Sequence, residues 1–127
     1  MEITLQYNLR PGVRNYNGTI YSGSAVQKVV ELLEEKMNDG NISIVNFAGK
    51  ELNGIKLIDV NSKLFTFDVT DVNDWTLDNI KVTAEIYAMN GFKAITDSHI
   101  LDVSGKIVLL TNNEYNRRAD IKISEDF

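Results

Sequence analysis

Cysteine is absent from the 127-residue chain, which excludes disulfides and thiolate metal sites and leaves the redox compartment open. Histidine occurs once, so no second imidazole is at hand for a metal site. No apolar run approaches the ~20 residues that a membrane span needs. The opening "MEITLQYNLR" has neither the basic flank nor the apolar run of a signal peptide. These absences predict a soluble cytoplasmic protein with no membrane partner. Excess positive charge is missing too: 13 Lys and Arg stand against 18 Asp and Glu, a net charge of -5. Non-specific nucleic-acid binding draws its affinity from cations that neutralise phosphates, so this balance argues against it while leaving room for a local basic patch. Acidity also suits a protein that docks on basic surfaces.

What remains is an ordinary globular composition, 43% hydrophobic and 24% charged, long enough to bury a core. No repeat, low-complexity tract or linker divides the chain, so residues 1–127 are expected to form a single domain. "EITLQYNL" places Ile3, Leu5, Tyr7 and Leu9 on one face and Glu2, Thr4, Gln6 and Asn8 on the other, the alternation of a half-buried strand. Arg10-Pro11-Gly12-Val13 reads as a turn and Asn17-Gly18 as another before "TIY", which predicts an N-terminal hairpin. Val26, Val29, Val30, Leu33 and Met37 recur at helical spacing over about residues 24–38. Ser24 is the expected N-cap, with Gln27 completing a capping box, and Gly40 lies where a C-terminal cap belongs.

"NISIVNF", "KELNGIKLIDV" and "KLFTFDV" read as strands. The next stretch, "TLDNIKVTAEIYAMNG", is two-sided. Leu77, Ile80, Ala84 and Tyr87 make a helical stripe, yet Ile80, Val82, Ala84, Ile86 and Ala88 alternate as in a strand. The surrounding order of strands favours the strand. "FKAIT", "HILDV", "IVLLT" and "ADIKIS" are expected as further strands, with Ser104-Gly105-Lys106 a turn.

A helix, then strands with a Leu52-Asn53-Gly54 element inside the second and Asp59 at its end, resembles the Sm-like family over about residues 24–88. The resemblance implies an SH3-type small barrel over about residues 41–88. Its nucleotide-contact elements, an Arg-Gly or a Tyr-Lys-His, have no counterpart in "DWTLDNIKV", so no RNA-contacting residue is carried over. The expected fold class is α+β, mostly β: an N-terminal hairpin, one amphipathic helix, the Sm-like small barrel and additional C-terminal antiparallel strands.

Three groups carry potential chemistry. His99 with Asp97 and Asp102 has the types needed for a general base or a metal ligand, but a partly exposed strand histidine is the plainer account. Asp68, Asp71, Asp74 and Asp78 lack calcium-loop spacing and suit turns and capping beside Asn73 and Thr76. Glycines in "NGTIYSGSAVQ" precede a helix N-terminus, where free N–H groups attract anions. All four arginines, Arg10, Arg14, Arg117 and Arg118, lie in two loops with Tyr16 and Tyr115 beside them. If the loops converge, these six residues form a cationic, aromatic ligand-binding patch. The lone tryptophan, Trp75, is expected in the core.

No catalytic constellation, metal site or cofactor motif assembles from these residues. The sequence therefore favours a non-catalytic interaction module acting through a protein partner or self-association. Its Asn-, Ile- and Lys-rich composition suits a bacterial or phage accessory or inhibitory factor. The alternative is an oligomeric binder of a small anionic ligand, nucleotide or single-stranded RNA.

Overall fold

A computed structural model of the chain describes residues 1–6, 10–14, 18–46, 48–61, 64–70, 80–83 and 93–111. Along them run strands β1 (Glu2–Gln6) and β2 (Thr19–Tyr21), helix α1 (Gly23–Asn38), and strands β3 (Ser43–Asn46), β4 (Ile55–Val60), β5 (Leu64–Val69), β6 (Ile80–Thr83), β7 (Lys93–Ile95) and β8 (Lys106–Thr111). Among the described residues the architecture is α+β, mostly strands, in three open sheets ordered β1-β5-β4, β2-β7 and β3-β8-β6.

The first sheet is antiparallel throughout, with β5 in the middle. Phe65 and Phe67 alternate with Thr66 along β5, so both rings point inward. Leu5 lies opposite Phe65 and Ile3 opposite Phe67 on one side. Val60 and Leu57 take the corresponding places on the other. The two rings meet edge to face, centroids 6.0 Å apart and planes at 70°, a geometry that contributes about 1 kcal/mol beyond burial itself. The outer face is polar: Thr4 and Thr66 hydroxyls share a 3.2 Å hydrogen bond.

Strand β4 departs from simple alternation. Its pairing runs Leu57 to Phe67, then Asp59 to Thr66, so Ile58 is an extra residue, a bulge. Leu57 and Val60 are both buried as a result, and Asp59 between them is exposed. The Leu52-Asn53-Gly54 element precedes this strand instead of lying inside it, and the bend falls at Ile58.

Helix α1 buries Ala25, Val26, Val29, Val30 and Leu33 against β4 and a 3-10 turn at Asp97–His99. Its N-cap is Ser22, whose Oγ accepts the Ala25 N–H at 3.0 Å, not Ser24. Two serines at adjacent even positions look alike to a capping argument, and the chain leaves β2 at Tyr21 in time for the earlier one to act. At the far end Gly40 donates to Met37 O at 3.2 Å and Asn41 to Lys36 O at 2.7 Å, the bond pair of a Schellman motif closed by Gly40 at φ 73°.

The remaining pairs differ from expectation. The strand Glu2–Gln6 pairs with β5 and not with Thr19–Tyr21, so these two strands do not form an N-terminal hairpin. A single antiparallel bridge joins Arg14 to Ile20, and Asn17 lies outside the described residues. Strand β2 pairs in parallel with β7, and β3 in parallel with β8. Among the described residues, β8 is the one C-terminal strand with an antiparallel partner, β6. "HILDV" is not a strand: Ile100 and Val103 are buried at a spacing of three, with Leu101 exposed between them. Residues 80–83 are extended, the reading favoured for this stretch by the surrounding order of strands. Trp75, residues 84–92 and "ADIKIS" lie outside the described residues.

Candidate functional site

Strands β2 and β7 end side by side, Tyr21 opposite Ile95, and the Ser22 N–H donates to Ile95 O at 2.8 Å. Two segments leave the carboxyl ends of this parallel pair together: Ser22-Gly23-Ser24 into α1, and Thr96 into the Asp97–His99 turn. A third segment joins from the opposite edge of β2. There Gly12 donates its N–H to Tyr21 O at 2.8 Å, which holds the exposed loop Arg10–Arg14 beside the end of β2. The carboxyl edge of a parallel strand pair is where α/β sheets commonly present ligand-binding loops. Here it carries a rim of hydroxyls, glycines and charges of both signs.

The hydroxyls form a directed relay. Ser24 Oγ donates to Asp97 Oδ1 at 3.2 Å. A serine has one proton to give, so the 2.9 Å contact between the Ser22 and Ser24 hydroxyls has Ser22 as donor. Each hydrogen bond polarises the next toward the carboxylate. The first turn of α1 contains no acidic residue, and Asp97 brings a negative charge to its positive end from another segment. The helix N-terminus flagged in "NGTIYSGSAVQ" thus has a carboxylate of the same chain beside it.

On the neighbouring turn, the Thr96 N–H donates to His99 Nδ1 at 3.0 Å, and Thr96 Oγ1 lies 3.0 Å from the same nitrogen. That arrangement places the lone pair of neutral His99 on Nδ1 and its proton on Nε2. Thr96 and Ser98 hydroxyls share a further bond at 2.9 Å. The proton of Ser24 goes to a carboxylate and not to an imidazole nitrogen, so the Ser, His and Asp side chains here are not wired as a nucleophile with its base. Asp102, the other acid read alongside His99, is engaged elsewhere. It accepts the Val103 N–H at 2.8 Å and pairs with Lys36 Nζ at 3.2 Å, at the opposite end of α1. Among the described residues no group of three His, Asp or Glu side chains converges to hold a metal ion. No helix among them is long and apolar enough to cross a membrane.

Of the six residues predicted to form a patch, Arg10 and Arg14 are both exposed on the rim loop. Tyr16, Tyr115, Arg117 and Arg118 lie outside the described residues, as do Asp71, Asp74 and Asp78. Asp68 sits on the polar face of the antiparallel sheet, opposite Glu2 and Lys56. Sequence reasoning named Arg10, Arg14, Ser24, Asp97 and His99 but as three unrelated features. Ser22, Thr96 and Ser98 were missed, and the density of hydroxyls after two short β-branched runs was the available signal. Searches of protein-family models, curated protein sequences and solved structures give no match to the chain.

Proposed function

We propose that the protein is a non-catalytic interaction module, a bacterial or phage accessory factor that engages a protein partner through the rim at the end of β2 and β7. One observation carries this reading. Of the three large hydrophobic side chains exposed among the described residues, Val13 lies on the rim loop, 53% exposed, and Leu101, 63% exposed, lies two residues past the Asp97–His99 turn on the segment that leaves the rim. Apolar anchors set among hydroxyls, glycines and charges of both signs make the composition of a protein-recognition surface. The rim is also held from below by the Ser22 cap and the parallel pair, so little ordering is needed on binding.

The test compares capture from a bacterial lysate by the wild-type chain, by Val13→Asp/Leu101→Asp, and by Lys56→Glu on the remote sheet. The expected result is a protein held by the wild type and by Lys56→Glu and lost by the double variant. With that partner purified, each rim substitution is expected to weaken binding roughly thirty-fold, the loss typical of an interface anchor. Capture that ignores the rim substitutions overturns the reading.

A second reading is favoured by Arg10 and Arg14, two exposed guanidiniums on one loop. It is the Sm-like alternative: an oligomer, its strands closed into a small barrel, binding an anionic ligand or single-stranded RNA. Titration with an oligo-adenylate at low and high salt separates the two. Binding that falls steeply with salt and disappears in Arg10→Ala/Arg14→Ala supports the second.

A further inference from the structure

We propose that Asn53-Gly54 is a modification site, at which the folded chain deamidates spontaneously in water. The Gly54 backbone nitrogen forms a bond to the Asn53 side-chain carbonyl carbon, the bond from that carbon to the amide nitrogen breaks, and ammonia leaves with the proton from Gly54. Water then opens the five-membered succinimide at either carbonyl, giving aspartate or isoaspartate. Water is the only co-reactant and nothing is oxidised or reduced.

Three Asn-Gly pairs occur in the chain, Asn17-Gly18, Asn53-Gly54 and Asn90-Gly91, and the structure describes both residues of the second alone. Asn53 is exposed and follows the buried Leu52 in a bend. Among the described residues no hydrogen bond holds the Asn53 amide or the Gly54 N–H. Glycine adds no side chain to shield the attacking nitrogen. The other described asparagines are placed differently. Asn46 Oδ1 accepts the Lys50 N–H and Asn61 Oδ1 the Leu64 N–H, each at 2.9 Å. Asn38 precedes Asp39, whose nitrogen is bound to Glu35 O at 3.0 Å, and Asn41 precedes the β-branched Ile42.

The site matters because of what Gly54 holds. Its carbonyl accepts both the N–H and the hydroxyl of Thr70, at 2.7 and 3.3 Å, where β4 begins and β5 ends. Isoaspartate lengthens the main chain by one methylene immediately before that junction and adds a carboxylate near Glu51. The modification therefore loosens one end of the antiparallel sheet while leaving the rim of β2 and β7 untouched.

The experiment incubates the full chain in mildly alkaline buffer made with heavy-oxygen water, then cleaves it at Lys50 and Lys56 for tandem mass spectrometry. The 51–56 peptide is expected to take up one heavy oxygen, with isoaspartate in excess. Conversion at Asn53 is expected to run roughly ten-fold or more ahead of Asn46 and Asn61, the factor set by a hydrogen bond that must first break. The Thr70 amide is expected to lose exchange protection as conversion proceeds. Asn53→Gln, which keeps Gly54 and the turn, is expected to block both changes. If Asn53 converts in urea but not in the folded chain, or no faster than Asn46, the proposal is overturned.

Discussion

The antiparallel sheet β1-β5-β4 and the two parallel pairs, β2 with β7 and β3 with β8, solve the same problem by different means. In the antiparallel sheet the sorting is done by side chains. Phe65 and Phe67 sit between Ile3 and Leu5 on one side and Leu57 and Val60 on the other, and every inward position is apolar. The parallel pairs are only three and four residues long and are fixed by their ends. Gly105 O accepts the Ser43 N–H at 2.8 Å where β3 and β8 begin, and Ser22 donates to Ile95 O where β2 and β7 finish. Long strands are held by cross-strand packing, whereas short ones depend on backbone joints where the chain enters and leaves.

The comparison can be broken from either side. Phe67→Ala empties the centre of the antiparallel sheet and is expected to cost about 4 kcal/mol in chemical denaturation. Gly105→Ala attacks the parallel joint. Gly105 has φ 71°, and an added Cβ would stand 2.5 Å from Asn41 O. Left-handed strain and the clash together predict a loss of roughly 3 kcal/mol, with exchange protection falling first in β3 and β8. A loss below about 1 kcal/mol would mean that the joint relaxes freely and does not hold the parallel pair.

Deleting Ile58 is expected to cost only about 1 to 2 kcal/mol, the burial of half an isoleucine. Removing the bulge residue leaves Leu57, Asp59 and Val60 in their present faces, and cross-strand contacts of Leu57 with Phe67 in a nuclear Overhauser spectrum should persist. Deleting Thr66 instead inverts the inner face of β5 and should prevent folding. The smallest effect distinguishes the two serines of the rim. Ser22→Ala is expected to cost about 1 kcal/mol as a lost N-cap, and Ser24→Ala a few tenths, measured by thermal unfolding. The reverse order would move the cap to Ser24.

These contrasts also explain what was legible beforehand. The α1 stripe of Val26, Val29, Val30 and Leu33 and the alternation of β1 and β5 follow from local periodicity, whereas the strand at 80–83 was read from the order of its neighbours because helical and strand patterns coexist there. The partners do not. Thr19-Ile20-Tyr21 and Lys93-Ala94-Ile95 are too short to state a direction of pairing, so a local hairpin was the natural expectation and a pairing across most of the chain was invisible. "HILDV" misled because an apolar run suggests a strand, although the buried positions, Ile100 and Val103, are three apart. The bulge at Ile58 is invisible for a related reason: Leu57 and Val60 are compatible with strand or helix spacing until the partner is known. The candidate site inherits this limit. Ser24 and Asp97 were each visible, but they meet only because β2 and β7 run in parallel.

The parallel pairs also set an order of events during synthesis. Strands β2 and β3 flank α1 early in the chain, yet their partners, Lys93–Ile95 and Lys106–Thr111, emerge from the ribosome only after the antiparallel sheet is complete. Twenty-one residues lie between Tyr21 and Ser43 and ten between Ile95 and Lys106, so the late segment takes a short path beside a long one already laid down. Until then the helix has strand β4 to pack on, but the strands at its two ends have bare edges. The nascent protein is a half-built sheet with exposed backbone donors, dependent on the rate at which β7 and β8 arrive.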